Sequence, residues 1–393
     1  MIEHLYADIG YRSLCKNGEF VCGDHIERLE RPDGSIVLVL ADGLGSGVKA
    51  CILSTLTSTI ISRMIAENLP ISYCVRAIAE ALPICSVRKL AYSTFTVINI
   101  SPTGMTYVIQ YDNPSVLLFR DGREVPLNFM QMMVDGKTIE SASFQMQKGD
   151  VLLAFSDGAE HSGVGPGMQY SLGWSNHSIA EYMAPMCSAG YSAKTINSIF
   201  LDECARRYDG KPGDDTTALT IYMRAHEQVN LMIGPPANME DNEKMLSLFF
   251  AKTGKHIVCG GTTSRITSEF LGKPLRVSMD YLDDDIPPTG SIEGVDLVTE
   301  GIITINRVLQ YAKDYLADNE SYSNWCHRKD AASLISRMLF EEATGINFFV
   351  GRAVNPAHQN PDLPITFSIK MQLIRELSEC LKAMGKNVRV SYF

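Results

Sequence analysis

At 393 residues the chain is long for one core and fits two domains. Hydrophobic residues make up 45% and charged residues 20%, an ordinary folded composition rather than a disordered or fibrous one. The net charge of −10 argues against a nucleic-acid binder, whose footprint would be basic and clustered. The N-terminal MIEHLYADIGYRSL lacks a basic region followed by an apolar core, and the longest apolar candidate, Cys51 to Met64, is interrupted by Ser, Thr and Arg63. No membrane span is expected, and the chain is expected in the cytoplasm. Its 10 cysteines are scattered without a C-x-x-C pair, and Cys326-His327 lacks companion ligands, so free buried thiols are expected instead of a zinc or thioredoxin-type site.

Residues 2–14 and 18–29 read as strands around a Lys16–Gly18 turn, with Asp24 in the second. Ser35 to Ala41 is an apolar, β-branched run that ends in Asp42-Gly43, with Gly45 and Gly47 following. A carboxylate at the tip of a buried strand, beside glycines that admit close backbone approach, suits an ion or phosphate site; a plain Asp-Gly turn is the alternative. From Val48 a helix is predicted to about Asn68, stopped by Pro70, with Ile52, Leu56, Ile60 and Met64 as its core-facing stripe. Ile71 to Leu82 reads as a second helix. Thr94–Ile100, Thr106–Tyr111 and Val116–Phe119 read as strands of a meander, with turns at Pro102–Gly104 and Asp121-Gly122.

The acidic device then repeats. VLLAFSDG, Val151 to Gly158, is a second apolar strand that runs into Asp157-Gly158, and GDDTTALTIYM, Gly213 to Met223, places Asp214 and Asp215 at the start of an alternating strand. Between them lie a Gly-rich stretch from Ser162 to Asn176, read as a flap, and helices Ser178–Met186 and Ala193–Arg207. Carboxylates at several strand ends are what one site built across a sheet needs, and oxygen ligands of this kind suit Mg²⁺ or Mn²⁺.

The order NGEFVCGD, ADGLGSGVKA, KGDVLLAFSDGAE, GDDTTA resembles the metal-dependent protein phosphatase (PPM) superfamily, in particular its bacterial branch typified by the stage II sporulation protein E phosphatase. The likeness covers roughly residues 1–224, and YDNPSVLLFRDG also fits it. It implies an α/β/β/α sandwich of two antiparallel sheets with helices outside. It implies two Mn²⁺ or Mg²⁺ ions held by Asp24, Asp42, Gly43, Asp157 and Asp214, with Asp42 bridging and Asp42, Asp157 and Asp214 essential for catalysis. Asp215 is expected to support the loop, although the two neighbours are interchangeable at this level, and Thr216 and Thr217 to orient the pair. The implied reaction is hydrolysis of phosphoserine or phosphothreonine on a signalling protein, for example a STAS-domain antagonist in partner switching. His25 stands where the branch carries an aromatic or Ser and receives no role. His161 is a candidate proton donor. The phosphate-binding arginine of eukaryotic members has no clear counterpart; Arg12 and Lys16 are the candidates.

After a polar seam at Arg224–Glu227 a new αβ rhythm begins: strand Val229–Ile233, helix Met239–Lys252, strand Ile257–Cys259, helix after Gly260, strand Val295–Val298, helix Ile303–Ala317, helix Asp330–Ala343, strand Ile346–Val350, helix Ile365–Met384 and strand Val388–Ser391. Domains are therefore expected at 1–226 and 227–393, the second an α/β domain with a parallel or mixed sheet. Its function is read as regulatory or ligand-binding. Gly261, Thr262, Thr263 and Ser264 between a strand and a helix suit an anion, or only a capped turn; they form neither a Walker loop nor G-x-G-x-x-G. His358, in the polar loop Asn355–Pro361, is a second candidate toward a small-molecule ligand, and Asp283 to Asp285 read as a solvated loop. Homodimerisation is allowed by this reading. Two other classes stay open: a non-catalytic signalling scaffold, and a nucleotide- or phosphometabolite-binding protein acting through the second domain.

Overall fold

The computed structural model describes residues 5–81, 93–134, 136–164, 172–278, 282–283, 285–317, 319, 322–353 and 365–393. They divide into two compact units, Met1–Ala225 and His226–Phe393.

The first unit contains strands β1 (Tyr6–Leu14), β2 (Asp24–Glu30) and β3 (Ile36–Gly43), helices α1 (Gly47–Ala66) and α2 (Ile71–Ala81), and strands β4 (Ser93–Ile100) and β5 (Met105–Tyr111). It continues with β6 (Leu117–Arg120), β7 (Arg123–Val125), β8 (Met130–Val134), β9 (Lys137–Gln145) and β10 (Val151–Phe155), and then α3 (Asp157–Glu160), α4 (Asn176–Cys187), α5 (Ala193–Arg207) and β11 (Thr216–Arg224). One sheet runs β1-β11-β10-β6-β7, the other β2-β3-β4-β5-β9-β8. Every pairing in them is antiparallel.

Strand alternation makes the layers. Leu38 and Leu40 of β3 meet Leu152 and Ala154 of β10 and Leu219 of β11 in the core between the sheets. Val37, Val39 and Ala41 point the other way, onto Ile61 and Ile65 of α1. Val151, Leu153 and Phe155 likewise turn outward onto Ile196 and Phe200 of α5 and Met183 of α4. The unit is thus an α/β/β/α sandwich.

Three local expectations are corrected. Residues 15–23 form no hairpin, because β1 pairs with β11 and β2 with β3, so the chain crosses there from one sheet to the other and Asp24 opens its strand. The meander breaks after β5 for the same reason: β6 pairs with β10 in the opposite sheet, and β9 takes its place beside β5. Helix α1 is turned away from its predicted stripe, with Ile52 52% and Leu56 42% exposed. Its buried face carries Ala50, Ser54, Thr57, Ser58, Ile61, Ser62 and Ile65. Small side chains let the helix lie close on β2 and β3, and Ser54, Ser58 and Ser62 each donate to the carbonyl three residues back, at 3.0–3.1 Å, which satisfies the three serine hydroxyls but not that of Thr57. Helix α1 has the length and apolar content of a membrane span; in this fold it covers a sheet.

The second unit contains β12 (Gln228–Ile233), α6 (Asn242–Phe250), β13 (Lys255–Cys259), α7 (Gly261–Leu271), the short β14 (Arg276–Val277) and β15 (Gly290–Ser291), and β16 (Leu297–Thr299). It ends with α8 (Ile302–Leu316), α9 (Ala331–Ser336) running into a π-helical turn at Arg337–Glu342, β17 (Gly345–Val350), α10 (Ile365–Ala383) and β18 (Asn387–Tyr392). The sheet order is β14-β15-β16-β13-β12-β17-β18, mixed because the β14–β15 edge is antiparallel while the other five strands are parallel. Leu231 and Ile233 face Ile305 and Val308 of α8 and Ile374 of α10, whereas Met232 and Val258 face Met245 and Phe249 of α6. Helices therefore cover both faces, as parallel strands require.

Candidate metal centre

Asp24 and Asp42 are cross-strand partners in the β2–β3 register. Directly opposite residues of an antiparallel pair share a face, and like charges there are unfavourable, so the pairing breaks a local rule of sheet stability. Asp24 is buried and Asp42 half-buried. Ser156, the residue before Asp157, donates its hydroxyl to Asp24 Oδ2 at 2.8 Å and accepts the Thr217 N–H at 2.9 Å. One serine thereby ties β2 of one sheet to the end of β10 and the start of β11 in the other. Asp24 Oδ1 is buried without a partner.

Asp157 is the first residue of the short α3, not a turn residue, and His161 Nε2 stands 3.9 Å from its Oδ2, both side chains open to solvent. Asp214 accepts the Asp215 N–H at 3.1 Å and lies 3.6 Å from Lys16 Nζ. Asp215 is buried behind it, with Oδ1 accepting the Lys16 N–H at 3.0 Å and Oδ2 unpartnered. Thr216 bonds the Asp214 carbonyl at 3.1 Å and Thr217 the Ser13 hydroxyl at 2.7 Å. Glycines close the frame. A Cβ on Gly43 would lie 2.0 Å from the Ala50 carbonyl oxygen, and one on Gly158 2.1 Å from that of Asp215. Tyr208 holds the Gly158 carbonyl by a 2.7 Å bond.

The electrostatics follow from crowding. Burial, and then the charges of Asp24, Asp157 and Asp214, push the Asp42 carboxyl up to about 9. Burial also raises Asp24, to about 7, against the hydrogen bonds from Ser156 and Thr217. Asp157 is raised by burial and by Asp214. Among the described residues Lys16 is paired into the cluster, and carboxylates this crowded favour retaining protons or receiving cations. Hard oxygen donors, excess negative charge and an orphaned Asp24 oxygen fit Mg²⁺ or Mn²⁺. Asp24, Asp42, Asp157 and Asp214 would hold them. The structure gathers these acids at one end of the sandwich, with Asp215 buried behind Asp214.

The other expected residues divide. Lys16 is at the site, but Arg12 pairs with Asp202 of α5 at 3.1 Å, on the outer face of its sheet. His25 turns to α1, its Nδ1 2.8 Å from Ser58 Oγ. Asp283 and Asp285 pair with Arg328 and Arg307 at 2.6 and 3.2 Å, as loop acids do. Gly261, Thr262, Thr263 and Ser264 open α7 in the second unit, while His358, with the rest of Asn355–Pro361, and residues 165–171 of the flap lie outside the described residues. Sequence reasoning missed Ser156 as a tether and missed Cys15 and Cys22, whose sulfurs lie with an Asp215 oxygen within 4.8 Å of one another. Burial raises both thiols. No spacing signal joins these three residues, because the crossover and β11 are far apart in the chain.

Comparison with known proteins adds the family. Residues 32–224 match the family model of stage II sporulation protein E (SpoIIE). Among solved structures the chain is similar to the phosphatase domain of the cell fate determinant SpoIIE from Bacillus subtilis, at 17% identity over 57% of this chain and 94% of that one, TM-score 0.42. It is also similar to the RsbU and RsbW domains of a Mycobacterium tuberculosis protein, at 21% identity over 63% and 71%, TM-score 0.48. A third likeness is to RsbX in complex with magnesium, at 16% identity over 56% and 99%, TM-score 0.40. No curated protein matches the chain. The N-terminal unit belongs to the stage II sporulation protein E family of PPM-type phosphatases.

Proposed function

We propose that the chain is a metal-dependent protein phosphatase that removes phosphate from serine or threonine of a signalling protein. The observation that carries this reading is the face-to-face Asp24–Asp42 pair, joined by Asp157 and Asp214 from the other sheet, with Lys16 beside Asp214. Two divalent ions bound there would supply a water of lowered pKa and neutralise charge on the transferring phosphoryl group. The chain's own residues do the rest. Ser156 fixes Asp24, the Gly43 and Gly158 contacts hold the loops at close range, and Lys16 places a positive charge beside Asp214. His161, exposed at the rim next to Asp157, is suited to give a proton to the departing serine oxygen.

The family supports a phosphorylated protein as substrate, and a STAS-domain antagonist in a partner switch fits its bacterial branch. The second unit is proposed as the part that reads a signal and sets this activity. The test is hydrolysis of phosphoserine, phosphothreonine and phosphotyrosine peptides by the full chain with Mn²⁺. Release of phosphate from the first two, well above the third, is expected. Hydrolysis of phosphotyrosine alone would contradict the reading.

A further inference from the structure

In the second unit, α7 and α8 start at the same edge of the sheet and in the same way. Each follows a parallel strand, and each is capped by a glycine, Gly260 with φ 106° and Gly301. Neither cap offers a side-chain oxygen, whereas Ser175, Ser192 and Asp330 close the first turns of α4, α5 and α9. The two starts touch: a Cβ on Gly301 would lie 3.5 Å from the Gly260 Cα. Gly261 and Thr262 are exposed, so the junction opens to solvent.

The third residue of each helix is a threonine, and here the second observation enters. Thr263 is 1% and Thr304 0% exposed, and neither hydroxyl has a hydrogen-bond partner. Thr263 Oγ1 lies 3.3 Å from the Cβ position of Gly260, on the cap side. The neighbouring Ser264 and Thr267 instead donate to the carbonyls four residues back, at 2.9 and 2.8 Å. Two buried hydroxyls left unpaired at adjoining helix starts are unfavourable in the free protein and suit a ligand that supplies acceptors.

The strand order of the parallel part places the switch point between β12 and β17, the usual binding crevice of such sheets. At that crevice the described residues pack closely. A Cβ on Gly351 would lie 2.0 Å from the Pro235 carbonyl oxygen, and the buried Lys370 ammonium donates to the Gly351 carbonyl there. The α7–α8 junction, one strand along, opens to solvent.

We propose that this junction is a phosphate cradle for a phosphorylated sugar. The phosphoryl oxygens take the free N–H groups of the two first turns and the hydroxyls of Thr263 and Thr304, with both helix dipoles directed at them. Glu300 Oε1 lies 3.8 Å from the Cβ position of Gly261 and is exposed. It disfavours a bare anion and accepts from a sugar hydroxyl, so the ligand carries both groups.

The experiment is calorimetric titration of the full chain in EDTA, which keeps divalent ions from the acidic cluster, with ribose 5-phosphate, adenosine 5′-monophosphate, inorganic phosphate and ribose. Saturable binding of a phosphorylated sugar, weaker binding of inorganic phosphate and none of ribose are expected. Whichever of the two sugar phosphates binds more tightly identifies a free sugar or a nucleotide as the source. The double variant Thr263→Val/Thr304→Val should weaken binding by about tenfold or more without lowering the melting temperature of the free protein. Glu300→Lys, on an exposed position that leaves the fold intact, should tighten inorganic phosphate severalfold. Absence of binding by both sugar phosphates, or unchanged affinities in both variants, would overturn the proposal.

Discussion

Asp42→Asn is expected to lower Mn²⁺-dependent phosphopeptide hydrolysis on the order of a thousandfold or more, and at the same time to raise the melting temperature of the metal-free protein. The two effects share one cause. Asp42 faces Asp24 across the strand pair and feels Asp157 and Asp214 as well, so its charge is costly until cations arrive. A neutral amide of the same shape removes that repulsion and offers an N–H to Asp24, which has an unpartnered buried oxygen. It also removes a negative ligand that two dications need. Activity and thermal unfolding measured on the same preparation check both halves. Lost activity with a lowered metal-free melting temperature would indicate damage to the fold and not loss of a ligand.

The second large effect is on stability, and it depends on pH. Carboxyls in an unfolded chain titrate near 4. Asp24 and Asp42 are raised in the folded, metal-free protein, to about 7 and about 9. The folded state therefore holds protons that the unfolded state has released. The stability this contributes is fully present below about pH 4 and is lost as pH rises through the folded values. Divalent cations require the deprotonated ligands, so their stabilising effect grows over the same window. With EDTA the transition of the N-terminal unit should fall in temperature from pH 6 to pH 9. With Mg²⁺ or Mn²⁺ at about a hundred times its dissociation constant it should rise by about 5–10 °C at the alkaline end and by less at pH 6. A cation effect equal at both ends would count against carboxylate ligation.

Much of the architecture was legible because strand alternation and buried runs are local signals. Val37 to Ala41 and Val151 to Phe155 are apolar on both faces because each strand has a core on either side, and that reads directly from sequence. The acids were legible too, since each stands at a strand boundary: Asp24 opens β2, Asp42 lies in the last turn of register of β3, and Asp157 and Asp214 flank β10 and β11. What was not legible depends on partners far apart in the chain. The face of α1 was misread because apolarity was taken as the mark of burial, whereas close packing selected serines. Strand β8 carries two exposed methionines, Met130 and Met133, at the edge of its sheet, which hides its alternation. The tie of Ser156 to Asp24 spans the two sheets, and Gly301 meets Gly260 only once β13 and β16 pair. None of these leaves a trace in local spacing.

The measurement that bears most directly on the central claim is Mn²⁺ binding to the full chain by equilibrium dialysis, for wild type, Asp42→Asn and Asp157→Asn. Saturation near two ions per chain in the wild type is expected, with reduced stoichiometry or strongly weakened binding in both variants. Absence of saturable binding in the wild type, or binding unchanged by both substitutions, would contradict it.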